Sequence, residues 1–94
     1  LRKKRHLHTA PPIDGECYIR HMTLDEAMPK LEEFIDDAFM AGAIVIKIVH
    51  GKTGGTLRNA VHSKLKTHPL VKLYRLGESY EGGEGVTIAE LYRK

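Results

Sequence analysis

Apolar residues recur along this chain in three patterns, and each pattern predicts a different element. Between Thr23 and Gly42 they fall at Leu24, Ala27, Met28, Leu31, Phe34, Ile35 and Ala38, steps of three and four that line one face of a helix. Thr23-Leu24-Asp25-Glu26 reads as a capping box at its start, with Thr23 bonding the Glu26 N–H and Glu26 bonding back. Gly42 is the expected stop, after about Ala41. Pro29 lies inside this stretch and removes one backbone bond, so a bend is expected near it. Residues 43–49 are almost continuously apolar instead, which suits a central strand buried on both faces. A second helical pattern spans about 56–67, with Leu57, Ala60, Val61 and Leu65 inward and Arg58, His62, Lys64 and Lys66 outward. His68-Pro69 ends it. Val71 to Leu76 and Val86 to Leu91 alternate in the manner of half-buried strands. Between them runs an acidic loop, Gly77 to Gly85. Cys17-Tyr18-Ile19-Arg20 supplies a short first strand.

The order is therefore βαβαββ, an α/β chain of the two-layer α+β sandwich kind. Each helix has one apolar stripe, so both must lie on one face of a four-stranded mixed sheet, with the other face more open. Strands separated by helices are expected to run parallel, joined by right-handed crossovers. The last two strands are expected to pair antiparallel across a long hairpin.

Composition narrows the class. The chain has 94 residues, enough for one domain with a modest core, and 41% of them are hydrophobic, too many for a disordered chain. No apolar stretch approaches the ~20 residues of a membrane span, and the basic start is not followed by the apolar segment of a secretory signal. The one cysteine, Cys17, excludes an intrachain disulfide and fits a reducing, cytoplasmic compartment. No Cys or His cluster has zinc-finger spacing, so no metal site is expected. The net charge of +3 is unevenly spread. Arg2, Lys3, Lys4 and Arg5 form a basic run; without them 11 basic residues face 12 acidic ones. Residues 1–15, closed by Pro11-Pro12 and Gly15, read as a basic flexible tail or linker, with the domain at 16–94. The tail is either a solvated linker or a contact to nucleic acid.

Chemistry concentrates where the central strand ends. Ile44-Val45-Ile46-Lys47-Ile48-Val49 gives way to His50-Gly51-Lys52-Thr53-Gly54-Gly55, and a helix follows. A strand, a glycine loop and a helix N-terminus together aim amide donors at an anion, and glycines let backbone approach it closely. Lys52 adds a full positive charge, and His50 adds a group that titrates near neutrality. Phosphate is the natural ligand. The Gly51-Lys52-Thr53 string lacks the spacing of a Walker motif.

Several segments together resemble the small MutS-related (Smr) domain. They are Arg20-His21-Met22-Thr23 with Glu26-Ala27, then Ile48-Val49-His50-Gly51-Lys52, then Thr56-Leu57-Arg58. His68-Pro69-Leu70-Val71-Lys72 and Gly82-Gly83-Glu84-Gly85-Val86-Thr87-Ile88 follow in the same order. The resemblance covers about Glu16 to Tyr92. It implies a fold like the C-terminal domain of translation initiation factor three, DNA or RNA binding, and in many members endonuclease activity. It also implies a place within a longer MutS-like protein and a repair or recombination setting, with DNA the favoured target.

Two departures from the family pattern matter. The family's usual Leu-Asp-Leu-(His or Arg)-Gly becomes Cys17-Tyr18-Ile19-Arg20-His21, so Tyr18 replaces an aspartate often given a catalytic role and His21 replaces a glycine. The family's His-Gly-Lys-Gly-Thr-Gly loop becomes His50 to Gly55 with its middle pair swapped. The loop change preserves a phosphate cradle. The loss of the aspartate weakens the case for hydrolysis, since a phenol is neutral at pH 7 and supplies no carboxylate.

The residues then take these roles. His50 and Lys52 are the catalytic candidates: His50 activates water or protonates the leaving oxygen, and Lys52 stabilises charge. Arg20, His21, Gly51, Thr53, Gly54, Gly55 and Arg58 are the candidates for holding phosphate, Arg20 bidentately. The bland alternatives are a His50 that satisfies a nearby carbonyl, a solvated Lys52, a His21 that merely fills the glycine position, and a Tyr18 packed on the sheet. An acid from the Glu78, Glu81, Glu84 loop would replace the missing aspartate if that loop closed on the site. A divalent metal would enter only with nuclease chemistry. Three functions follow: a nucleic-acid-binding domain with endonuclease capacity, a non-catalytic DNA- or RNA-binding module that targets a larger protein to branched or stalled nucleic acid, and a nucleotide-binding module, for which the chain has few aromatics.

Overall fold

The computed structural model describes residues 12–94. The elements are β1 (Gly15–Tyr18), α1 (Leu24–Met40), β2 (Val45–Val49), α2 (Thr56–Thr67), β3 (Val71–Leu76) and β4 (Val86–Leu91), with two short 3-10 turns before β4. This is the βαβαββ order read from the pattern. The strands form one sheet in the order β1-β2-β4-β3. β1 and β2 pair in parallel, while β4 pairs antiparallel with both β2 and β3. The expectation of parallel pairing across each helix thus holds for β1 and β2 and fails for β2 and β3. Those two share a direction, but β4 lies between them. Its inner position buries β4 on both faces from Val86 to Ala89.

Both helices cover the same face. Ala27, Leu31 and Ile35 of α1 and Val61 and Leu65 of α2 pack on Cys17, Ile19, Ile46, Ile48, Val71, Ala89 and Leu91. Leu31, Ile35 and Leu65 are fully buried, so truncating any one to Ala should cost about 2–5 kcal/mol. The opposite face carries only a small cluster of Val45, Val86 and Ile88, flanked by Ile44 and Val49. Leu24, counted on the apolar face of α1, is exposed at its first turn.

The ends of α1 follow local chemistry. The Thr23 N–H donates to Glu26 Oε1 at 3.0 Å and the Glu26 N–H to Thr23 Oγ1 at 3.3 Å. At the other end Gly42 takes φ +84°. There the Gly42 N–H reaches the Phe39 carbonyl at 3.0 Å and the Ala43 N–H reaches that of Ala38 at 2.9 Å. This double closure needs a left-handed residue and uses carbonyls the helix leaves open. α1 continues through Pro29 as one helix; the carbonyl deprived of its partner belongs to the exposed first turn, where water can serve it.

The domain begins earlier than expected. The Asp14 N–H donates to the Val45 carbonyl at 2.7 Å, and its carboxylate accepts from the N–H groups of Ile44 at 2.8 Å and Val45 at 2.9 Å. Those bonds hold the Asp14 carboxyl below its ordinary value, that from Val45 contributing most. Asp14 and Gly15 therefore belong to the sheet and not to the linker. The rest of the expected tail, residues 1–11, lies outside the described residues. No helix among the described residues is long and apolar enough to cross a membrane.

Candidate functional site

Because β1 and β2 are parallel, both deliver their following turns to one end of the sheet. After β1, the Met22 N–H closes a turn on the Ile19 carbonyl at 3.1 Å, and His21 sits at its third position with φ +72°. Glycine or asparagine is the usual residue there, so His21 does occupy a glycine place, and its exposed ring points to the loop region it helps line. After β2, Gly51 takes φ +94°. A Cβ on Gly51 would come within 3.2 Å of Arg20 Cγ, which shows how closely Arg20 lies across the loop. Gly55, at φ +78°, caps α2 with no side-chain bond of its own. Arg58 folds back over it, its Nη2 standing 2.5 Å from where a Gly55 Cβ would be.

The amides divide into two sets. Those of His50 and Gly51 both donate to the Gly85 carbonyl, at 3.0 and 2.9 Å. The expectation that Gly51 offers its N–H to an anion is thus corrected: the end of the 77–85 loop takes it. The N–H groups of Lys52, Thr53, Gly54 and Gly55 find no acceptor among the described residues. The first amides of α2 add to this open set, so the cradle starts at Lys52.

His50 is buried, 3% exposed. Its Nδ1 lies 3.0 Å from the Gly51 carbonyl and its Nε2 lies 2.8 Å from Thr87 Oγ1. A carbonyl only accepts, so Nδ1 carries the proton and Nε2 accepts from the threonine hydroxyl. Thr87 Oγ1 must then accept in turn, and His62 Nε2 stands 2.8 Å from it as the donor. The chain of bonds runs from His62 through Thr87 to His50 and ends on the loop backbone. Burial pushes the His50 pKa down, with the Arg58 charge adding to it. Burial likewise lowers His62, helped by His50 and Arg58. The ring of His50 is therefore neutral near pH 7, and both its nitrogens are engaged inside the protein. His62, placed outward by its helical position, instead turns in against Thr87 and packs 5.1 Å from the Tyr74 ring.

Two depressions flank the loop. A small chamber of about 170 Å³ is lined by Arg20, His21, His50, Gly51, Lys52, Thr53 and Leu57. A groove of about 440 Å³ on the open sheet face is lined by Glu16, Tyr18, Lys47, Val49 and Val86, and by Arg20, Gly51, Lys52 and Thr53, which it shares with the chamber. The structure thus gathers Arg20, His21, Lys52 and Thr53 at one rim; Gly54 lies in the turn and Arg58 across Gly55. Lys47, Tyr18 and Glu16 were not singled out from the sequence as binding groups. The signal was the register: Glu16 is paired with Lys47 and Tyr18 with Val49, so all four share the open face.

Among the described residues the acids of the 78–84 loop do not converge on the glycine loop. Glu81, a candidate to replace the family aspartate, is buried and held by Arg75 through two bonds of 2.7 and 3.0 Å, and it also accepts the Glu78 N–H at 2.8 Å. Arg75 chiefly holds its carboxyl below the ordinary value. Glu78 and Glu84 are exposed and line neither depression. Glu16 is the one carboxylate lining the groove. Elsewhere Glu32, Asp36 and His68 bring ligand atoms within 4.8 Å of one another. Lys64 already sits 2.7 Å from Glu32, and His68 Nδ1 accepts the Leu70 N–H at 3.1 Å, which puts the ring proton on the Nε2 that faces Glu32. Both Glu32 oxygens are thus already engaged, one by Lys64 and one by His68.

The family model described as Smr domain matches residues 19–92. The chain is 42% identical over 83 residues to a protein of Thermomicrobium roseum named endonuclease MutS2, covering 88% of this chain and 10% of that one. It is 45% identical over 85 residues to the endonuclease MutS2 of Pelotomaculum thermopropionicum, covering 90% and 11%. The chain thus spans about a tenth of the length of these relatives. Among solved structures, the Smr domain of Thermus thermophilus MutS2 superposes with a TM-score of 0.80 at 29% identity, over 83% of this chain and 98% of that one. YdaL, a stand-alone small MutS-related protein from Escherichia coli, gives 0.77 at 22% identity, over 85% and 66%, which speaks for the fold alone. With residues 19–92 matched by the family model and the fold shared with a solved Smr domain, the chain belongs to the Smr domain family.

Proposed function

We propose that this domain binds the sugar-phosphate backbone of DNA or RNA at the glycine-loop end and is at most a weak endonuclease. The observation that carries the reading is the meeting of Arg20, Lys47 and Lys52 beside open loop amides, since none of the three cations has an acidic partner within ion-pairing distance among the described residues. Cations without ion-pair partners among the described residues, beside a helix N-terminus with no acid in its first turn, suit a local anion site. The relatives named endonuclease MutS2 support a nucleic-acid ligand. Their much greater length also supports a place for this domain within a longer protein, to which we assign a cytoplasmic repair or recombination setting.

Hydrolysis of a phosphodiester needs a base for water and charge stabilisation at the phosphate. Lys52 and Arg20 meet the second need. For the first, His50 has no free nitrogen and Tyr18 brings a phenol where the family pattern has an aspartate. Its role is then to hold the Gly51 carbonyl and with it the loop. The groove holds a single carboxylate, Glu16, facing Lys47 across the sheet, and one carboxylate beside a lysine does not make a resident divalent-metal site. The same features favour the non-catalytic targeting module over the enzyme.

The test is a plasmid-nicking and RNA-cleavage assay with and without divalent metal, beside binding titrations at several salt concentrations. Binding should weaken as salt rises, and cleavage should be slight. Lys52→Ala with Arg20→Ala should lower the salt slope by about two. Tight binding with a salt slope unchanged by that pair would remove the site from this rim. Robust cleavage that persists in His50→Ala and in Glu16→Gln would place the chemistry on other residues.

A further inference from the structure

The open sheet face presents two rows of side chains that differ in character. One row reads Glu16, Lys47, Ile88 and Arg75 across the strands, and the next reads Tyr18, Val49 and Val86. Strands lie about 4.8 Å apart, so the second row makes an apolar strip roughly 10 Å wide. Tyr18 ends that strip on the edge strand with 49% of its surface exposed. Its hydroxyl has no hydrogen-bond partner among the described residues; the only bond recorded for Tyr18 outside the sheet is its carbonyl accepting from Lys30 Nζ at 2.9 Å. Arg20 and Lys52 form the rim between this strip and the small chamber, since both line both depressions.

From this juxtaposition we infer that the groove is a base-binding subsite for an unpaired nucleotide, whose base stacks on Tyr18 over Val49 and Val86 while its phosphate lies on the rim of Arg20, Lys52 and the loop amides. The inference rests on the nucleic-acid reading above and adds the class of strand. A paired base cannot lay its face on a sheet, because its neighbours in the stack already cover it; a single strand, loop or splayed end can. An aromatic ring beside a cationic track is the usual solution for such strands. The volume of about 440 Å³ lies within the range of small-ligand sites. Glu16 and Lys47 stand in the adjoining row, one acceptor and one donor, where the edge of a stacked base would come. Tyr18 thus has a positive use: in place of a carboxylate it supplies a stacking surface.

The experiment titrates the full chain at fixed low salt against three fluorescein-labelled probes of equal length: a single-stranded oligonucleotide, the same strand made abasic, and its duplex. Wild type and Tyr18→Phe should bind the single strand alike and more tightly than the abasic strand. Tyr18→Ala should weaken single-strand binding by about fivefold or more and leave abasic and duplex binding as they were. A 2-aminopurine placed in the single strand should be quenched by wild type and Tyr18→Phe and not by Tyr18→Ala. Binding of all three probes that Tyr18→Ala leaves unchanged overturns the base subsite and leaves the phosphate reading standing. Absence of binding to every probe overturns both. Equal losses on the abasic and intact strands would mean that Tyr18 shapes the rim and does not stack, which also overturns the inference.

Discussion

Two of the depressions among the described residues have opposite chemistry. The larger, about 710 Å³, lies between α1 and the end of α2 and is lined by Met28, Glu32, Asp36, Lys64 and His68 among others. Its charges are already spent on each other: Lys64 and His68 both reach Glu32, at 2.7 and 3.2 Å. The smaller groove at the glycine loop carries Arg20, Lys47 and Lys52, none of them in an ion pair among the described residues. Volume therefore does not single out the proposed site. A cleft whose ions are paired gains little from a ligand, which must break those pairs to enter. A cleft whose cations form no ion pairs has more of its attraction to offer, even with Glu16 beside Lys47.

The two regions also differ in how histidine is used, and breaking that difference should give the largest effect. Thr87→Val keeps the shape of the side chain but removes the hydroxyl that both His50 and His62 need. Leaving a buried ring nitrogen unpaired should cost about 2 kcal/mol, read as a lower urea midpoint at unchanged slope. Glu32→Gln, which breaks the paired cleft, should cost under about 1 kcal/mol because that pair is partly exposed. Equal losses would erase the distinction between a buried network and a surface pair.

Charge reversal sharpens the functional half of the contrast. Lys52→Glu should weaken oligonucleotide binding by on the order of tenfold at low salt, whereas Lys64→Glu should leave it within about twofold at an equal change in net charge. A similar loss from both would mean that only the overall charge matters. A smaller effect is expected at His21, whose left-handed backbone costs about 1 kcal/mol. His21→Gly should raise the stability by that amount in thermal or urea unfolding, and any fall in oligonucleotide affinity would then report what the ring contributes to the chamber.

The smallest effect concerns acid. His50 and His62 have folded pKa values below their ordinary one, so the unfolded chain takes up protons more readily. Their contribution to stability is present above the unfolded value of about 6.5 and is lost as pH falls through the folded values. The urea midpoint should therefore fall from pH 7 towards pH 5. His62→Gln, which keeps a donor for Thr87, should flatten that fall; a profile unchanged by it would assign the acid sensitivity to other groups.

Much of the fold is legible in the sequence, because each helix and strand has its own period and its own stops. α2, β3 and β4 have the predicted limits, fixed by His68-Pro69 and by glycines at the loop. The place of β4 was not legible, because alternation reports which side chains face inward and says nothing of which strand lies alongside. The site divides in the same way. The glycine loop and Arg20 stand out as local strings, and parallel strands bring them to one end. Lys47 is hidden in an apolar run, and His62 looks like any polar residue on an amphipathic helix. Thr87 interrupts an apolar strand, a cue that an internal hydroxyl needs partners, but only the register shows that they are two histidines. Glu81 looks like one more acid in a solvated loop, and its bidentate bond to Arg75 needs the hairpin to exist first.

The direction of the strands decides how this domain would be carried by a larger protein. Asp14 enters beside Ile44 and Val45, and Leu91 leaves there too, its N–H bonded to the Ile44 carbonyl at 2.8 Å. The glycine loop lies at the other end of β2, roughly 16 Å away along five residues. Entry and exit are thus neighbours at one pole, and the cationic rim is at the opposite pole. A carrier joined at either end would hold the domain by its back, so a flexible joint would let the rim swing outward towards the ligand proposed for it.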